Sequence, residues 1–248
     1  MLIEPTLEGL RILKLTGMLK ALESQMSSPD ANALSFEERL AMLVDTELTT
    51  RDNRRVQMRL KLAKLTHAGS IEDFDPKGRG IDRGELASLA SSDWIRRFQN
   101  IIIVGSTGVG KSFLACALAQ KACRDGFTVH TDRASRLFQE LSIAKADGRY
   151  PKLVANIARK DVLVIDDFGL FALTDEQRQD LLELCEDRYS QRSTIITSQI
   201  PVEHWHEIIG EPTIADAVLD RLVHNAHKLN LKGESKRRAK ATEMQLAG

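Results

Sequence analysis

The residues best suited to chemistry in this 248-residue chain are Gly105-Ser106-Thr107-Gly108-Val109-Gly110-Lys111-Ser112, which fit the spacing G-x-x-x-x-G-K-[ST]. Glycines in such a loop let backbone N–H groups close around phosphates, and a helix N-terminus behind them favours negative charge. Lys111 is expected to reach the β and γ phosphates and the Ser112 hydroxyl to coordinate Mg2+, so ATP with its metal is the implied ligand. The apolar run 101–104 precedes the loop and a helical pattern over 113–119 follows it. That is the strand, loop, helix order a phosphate cradle requires.

A second metal ligand is expected from residues 162–169, Val-Leu-Val-Ile-Asp-Asp-Phe-Gly, a buried-strand pattern that ends in two carboxylates. It reads as a Walker B segment in which Asp166 holds the metal and Asp167 orients or deprotonates the attacking water. Asp167-Phe168-Gly169 also spells the D-F-G of protein kinases, but no H-R-D-x-x-x-x-N or V-A-I-K accompanies it. The strand pattern 193–197 leads to Ser198-Gln199, which makes Gln199 the first candidate for a side chain facing the γ-phosphate and Ser198 the second. Arg221 lies in the helical pattern Ile214, Ala217, Val218, Arg221, Leu222. A guanidinium there has two readings: an arginine finger acting across a subunit boundary, or one half of an ordinary surface pair.

The elements that must position these residues follow from periodicity. From Trp94 onward, short apolar runs at 101–104, 127–130, 162–165, 193–197 and 227–231 alternate with helical patterns, which predicts an α/β fold with a five-stranded parallel sheet. Thr174-Asp175-Glu176-Gln177 reads as a capping box that starts a helix. Residues 6–66 read as all-helical, with Thr6 capping the first helix and Ser35-Phe36-Glu37-Glu38 a capping box for the second. Between 69 and 93 the chain turns to Gly69, Pro76, Gly78, Gly80 and Gly84, a linker composition. The expected organisation is a helical N-terminal domain over 1–68, a linker over 69–93 and a nucleotide-binding domain over 94–248.

Thirty-five basic and 35 acidic residues leave no net charge, so contact with nucleic acid has to come from local clusters. Three exist: Arg51, Arg55 and Arg59 at helical spacing; Lys145, Arg149, Lys152, Arg159 and Lys160 before the Walker B strand; and Lys228, Lys232, Lys236, Arg237, Arg238 and Lys240 near the C-terminus. The first is either a phosphate-tracking stripe or a solvated face, and the third either a contact or a tail. Aromatic residues make up 5% of the chain and do not interleave with the basic ones, so backbone contact to double-stranded DNA is expected rather than base stacking. Three cysteines without C-x-x-C spacing read as buried free thiols. His204, His206, His224 and His227 lack the companions that a metal site other than Mg2+ would need. No apolar run approaches 18 residues and no basic flank opens the chain, so a cytoplasmic protein without a membrane segment is expected.

Taken in order, Ile71-Glu72-Asp73-Phe74-Asp75, Asn100, the phosphate loop, Asp166-Asp167-Phe168-Gly169, Thr197-Ser198-Gln199 and Lys232-Gly233-Glu234-Ser235-Lys236-Arg237 resemble the AAA+ ATPases. More narrowly, they resemble the IstB-type transposition helpers and the related DnaC-type helicase loaders. The resemblance covers nearly the whole chain. It implies ATP hydrolysis, self-assembly into a homo-oligomer on DNA, and stimulation of a cognate transposase during insertion-sequence transposition. A DnaC-like helicase loader and, more remotely, a small-molecule P-loop kinase are the alternatives. Most AAA+ proteins carry Glu where Asp167 stands, and Arg237 and Arg238 match no separate C-terminal lid.

Overall fold

Runs of β-branched and aliphatic residues make the inner strands of a parallel sheet, and the sheet here has five strands in all. In the computed structural model, which describes residues 3–233, they are β1 (Asn100–Gly105), β2 (Val129–Arg133), β3 (Val162–Phe168), β4 (Ser193–Ser198) and β5 (Ala226–Leu231). Their order is β2-β3-β4-β1-β5, every pair parallel. Each run expected to be a strand is one, with β2 displaced toward its C-terminal end. β4 therefore lies between β1 and β3, so its last residues come beside the ends of both.

Alternate residues along the strands feed two cores. Ile101, Ile103, Val164 and Ile195 pack with Leu114 and Leu118 of α6 (Lys111–Arg124), while Ile102, Leu163, Ile165 and Ile196 meet the other layer. That layer comprises α7 (Ala134–Ala146), α8 (Tyr150–Ala158), α9 (Asp175–Arg188), α10 (Trp205–Ile209) and α11 (Pro212–Val223). The Thr174 capping box forms, with the Thr174 hydroxyl accepting from Gln177 N–H and the Gln177 side chain accepting from Thr174 N–H. The three cysteines are buried free thiols. Burial pushes the Cys123 thiol up to about 11 and Cys185 to about 12, so neither is a thiolate at neutral pH.

The chain divides into two compact units, Met1–Met58 and Arg59–Gly248. In the first, α1 (Ile3–Ile12) and α2 (Thr16–Ser27) precede α3 (Phe36–Ala63), which crosses the division. The Ser35–Glu38 capping box forms as expected. Thr6 does not cap α1: the helix starts at Ile3, so Thr6 lies inside its first turns. A Cβ on Gly17 would lie 2.6 Å from Glu47 Cα, which is how closely α2 approaches α3. The buried Glu47 carboxylate accepts from Gly17 N–H at 2.7 Å and Met18 N–H at 3.1 Å, supplying the orphan donors of α2 that Leu15 cannot serve.

The stretch 69–93 differs from the linker that its composition suggests. It holds a 3₁₀ turn at Ile71–Asp73, capped reciprocally by Ser70 and Asp73, and α4 (Arg83–Ala90); α5 (Asp93–Arg96) begins at its last residue. Ile71, Phe74, Ile81 and Leu89 are buried in the α6-side core. Gly80 marks a close approach rather than slack: a Cβ on it would lie 2.5 Å from Asn230 O.

Candidate functional site

β1 delivers the glycine loop to the edge of the sheet. Gly105, Gly108 and Gly110 have φ of +151°, +87° and +104°, conformations that a side chain would strain. Val109, fully buried, pins the middle of the loop to the core. Lys111 is almost fully buried at the first turn of α6, and its Nζ donates to Ser106 O at 2.9 Å, which holds the cation across the loop. Ser112 follows it in the first turn of α6, where main-chain N–H groups lack intrahelical acceptors and phosphate oxygens can serve. A Cβ on Gly105 would meet Leu231 O at 2.4 Å. Gly105→Ala is therefore expected to lower stability by at least about 2 kcal/mol and to weaken nucleotide binding. Thermal unfolding with and without ATP measures both.

The two aspartates sit where the β3–β4 register breaks, between Ile165 and Phe168. Asp166 is buried and Asp167, with φ +57°, is half-buried, its backbone in the left-handed region. Thr197, fully buried near the end of β4, donates its hydroxyl to Asp166 Oδ1 at 2.5 Å and accepts from Asp167 N–H at 3.0 Å. Arg133, at the end of β2, brings Nε to 3.9 Å from Asp167 Oδ2. Gln199 accepts from the Thr107 hydroxyl at 2.6 Å, so β4 touches the phosphate loop as well. Ser198 turns away: its hydroxyl donates to Phe168 O and accepts from Ile200 N–H. Asp166 Oδ2 and the Ser112 hydroxyl are hard oxygen donors of the kind Mg2+ takes.

Arg221 lies at the other end of the strands. Asn100, the first residue of β1, donates to both Arg221 O and Leu222 O at 3.1 Å and accepts from Thr194 N–H at 2.8 Å. The guanidinium pairs with Glu186 at 3.0 Å, not with its neighbour Asp220. β1 spans five residue steps from Asn100 to Gly105, about 17 Å at ~3.3 Å per step, so Arg221 and the phosphate loop of one chain face opposite edges of the sheet.

The basic candidates are mostly spoken for. Lys145 lies between Asp180 at 2.6 Å and Glu176 at 3.1 Å and over the Tyr150 ring, and Arg149 pairs with Asp147 at 2.5 Å. Both cations therefore have carboxylate partners within the domain. The side chains of Lys152, on the exposed side of α8, and of Lys160 have no partner among the described residues; that of Arg159 bonds only to Ala155 O. Arg51 pairs with Glu47 and Arg55 with Asp52, while Arg59 donates to Cys123 O at 2.8 Å, so the stripe is largely compensated. Lys236, Arg237, Arg238 and Lys240 lie outside the described residues.

Sequence reasoning missed Arg79. Its Nη1 donates to Val109 O, its guanidinium stacks 5.6 Å over Phe74, and its own carbonyl accepts from Lys232 N–H at 2.9 Å. It buttresses the phosphate loop from outside. The only hint in the sequence was its place between Gly78 and Gly80.

With β4 inserted between the strand that ends in the phosphate loop and the strand that ends in the aspartates, the fold is that of an AAA+ P-loop NTPase. Solved structures agree on the fold. The DnaC helicase loader matches with TM-score 0.55 over 66% of this chain and 96% of its own at 22% identity, and AMPPCP-bound DnaA from Aquifex aeolicus with TM-score 0.56 over 74% and 56% at 19%. The chain belongs to the IstB-like ATP binding protein family, whose profile matches residues 9–244. Among its relatives, an insertion sequence ATP-binding protein of Sinorhizobium fredii is 50% identical over 239 residues, 96% of this chain and 98% of that protein. The ATP-binding protein of insertion sequence IS1162 from Pseudomonas fluorescens is 46% identical over 203 residues, 81% and 88% of the two chains. Among the described residues no helix is long and apolar enough to cross a membrane.

Proposed function

We propose that this protein is the ATP-hydrolysing helper of an insertion sequence, assembling on duplex DNA with ATP and Mg2+ and stimulating its cognate transposase. The observation that carries the reading is end-to-end similarity to insertion sequence ATP-binding proteins, joined to a site in which phosphate loop, paired aspartates and Gln199 converge. Lys111 and the loop amides bind the β and γ phosphates, Ser112 and Asp166 hold the metal, and Asp167 orients the attacking water. Mg2+, when bound, neutralises charge building up on the phosphates. Gln199, held by Thr107, faces the γ-phosphate, and Arg221 reaches the site of a neighbouring copy. The test is strand transfer by the transposase into target DNA, with wild-type protein or Lys111→Ala. Stimulation that needs ATP and fails with the variant supports the reading; stimulation unaffected by the variant overturns it.

DNA contact is assigned to the cations that remain uncompensated. Each phosphate neutralised contributes about 0.9 to the slope of log affinity against log salt. Joint replacement of Lys152 and Arg159 by alanine is expected to shallow that slope by about 1.8 without changing ATP affinity. Lys145→Ala is expected to leave it unchanged, because that lysine already serves Asp180 and Glu176. Titration of labelled duplex at several salt concentrations decides; a slope set by Lys145, or by Arg51 and Arg55, moves the contact elsewhere.

A further inference from the structure

We propose that Thr197 is the positioning residue of the aspartate pair, its hydroxyl setting both the carboxylate that holds the metal and the backbone from which the water-orienting carboxylate projects. The inference rests on the roles assigned above to Asp166 and Asp167. Its grounds are geometric. The β3–β4 ladder breaks between Ile165 and Phe168, so Asp167 N–H has lost its regular strand partner on the β4 side. The Thr197 hydroxyl accepts that N–H at 3.0 Å and so holds a peptide whose φ of +57° is unfavourable for an aspartate. Its one proton goes to Asp166 Oδ1 at 2.5 Å, a short charge-assisted bond that fixes the rotation of the carboxylate and leaves Oδ2 for a cation. Thr197 is fully buried and Asp166 nearly so, and no water can replace either bond without opening the sheet. The residue touches no nucleotide itself: it acts through its neighbours.

The hydroxyl, not the shape of the side chain, is the operative part, which Thr197→Val and Thr197→Ser separate. Three measurements are needed on the full chain: thermal melting, ATP affinity with Mg2+ and in EDTA, and ATP hydrolysis. For Thr197→Val the EDTA affinity is expected to stay within about twofold, while the gain in affinity from Mg2+ disappears and hydrolysis falls about 10- to 100-fold. Thr197→Ser is expected to keep both properties within about threefold, since it keeps the donor and the acceptor. Wild-type Mg2+ dependence in Thr197→Val overturns the proposal, and so does equal loss in the serine variant, which would assign the effect to methyl packing. If the valine variant shows no cooperative melt, Thr197→Ala takes its place under the same two outcomes. Asp166→Asn is the control: Mg2+ dependence unchanged in that variant would sink the reading of the aspartates, separately from that of Thr197.

Discussion

Lys111→Ala is expected to weaken ATP binding by at least about 100-fold, whereas Asp167→Asn binds ATP within about threefold of the wild type and loses at least about 100-fold in hydrolysis. The split follows from placement. Lys111 is a buried cation at the mouth of the loop, already spanning it through Ser106 O, and nothing else among the loop residues carries positive charge. Asp167 stands at the same end of the sheet but on β3, across β4 from the phosphate loop, with Arg133 3.9 Å from its carboxylate. Equilibrium titration with a fluorescent ATP analogue and a phosphate-release assay measure the two quantities. Equal loss of affinity in both variants would remove the division of labour.

Arg221→Ala is expected to leave nucleotide binding intact and to lower hydrolysis in the assembled protein by about 10³-fold or more, as arginines that neutralise transition-state charge do. The effect has to be in trans, because the strand that separates Arg221 from its own phosphate loop is too long for a side chain to bridge. Mixing Arg221→Ala with Asp167→Asn should then restore part of the activity, since some interfaces pair an intact arginine with an intact carboxylate. The Glu186 pair must open for this to happen; with its carboxylate half-exposed it costs little to break. Failure to rescue at any mixing ratio would place Arg221 outside the reaction.

The elements that carry the site were legible because their signals are local. A glycine spacing, a run of β-branched residues and a capping box each declare themselves within about ten residues, and β1, β3, β4 and the start of α9 followed. What escaped depends on partners distant in sequence. Thr197 is two residues before Gln199 and looks like any β-branched strand residue until β3 is laid beside it with a broken register. Lys145 reads as a free cation, because helix spacing does not reveal that Asp180 and Glu176 of α9 lie against α7. The stretch 69–93 reads as a linker since Ile71, Phe74 and Ile81 share no period; only the core they fill identifies them as structural. Arg79 was hidden for the same reason.

The clamp of Asn100 on the backbone of Arg221 gives each chain a polarity. One end of the strands carries the phosphate loop and the other Arg221, so in the assembly proposed above each site would take its loop from one copy and its arginine from another. Copies that repeat this contact head to tail would leave one unmatched phosphate loop and one unmatched arginine at the two ends of an open stack. Hydrolysis per subunit would then rise with the number of copies in a row, and in the proposed DNA-bound assembly the length of DNA available to seat them would set how long each stack keeps its nucleotide.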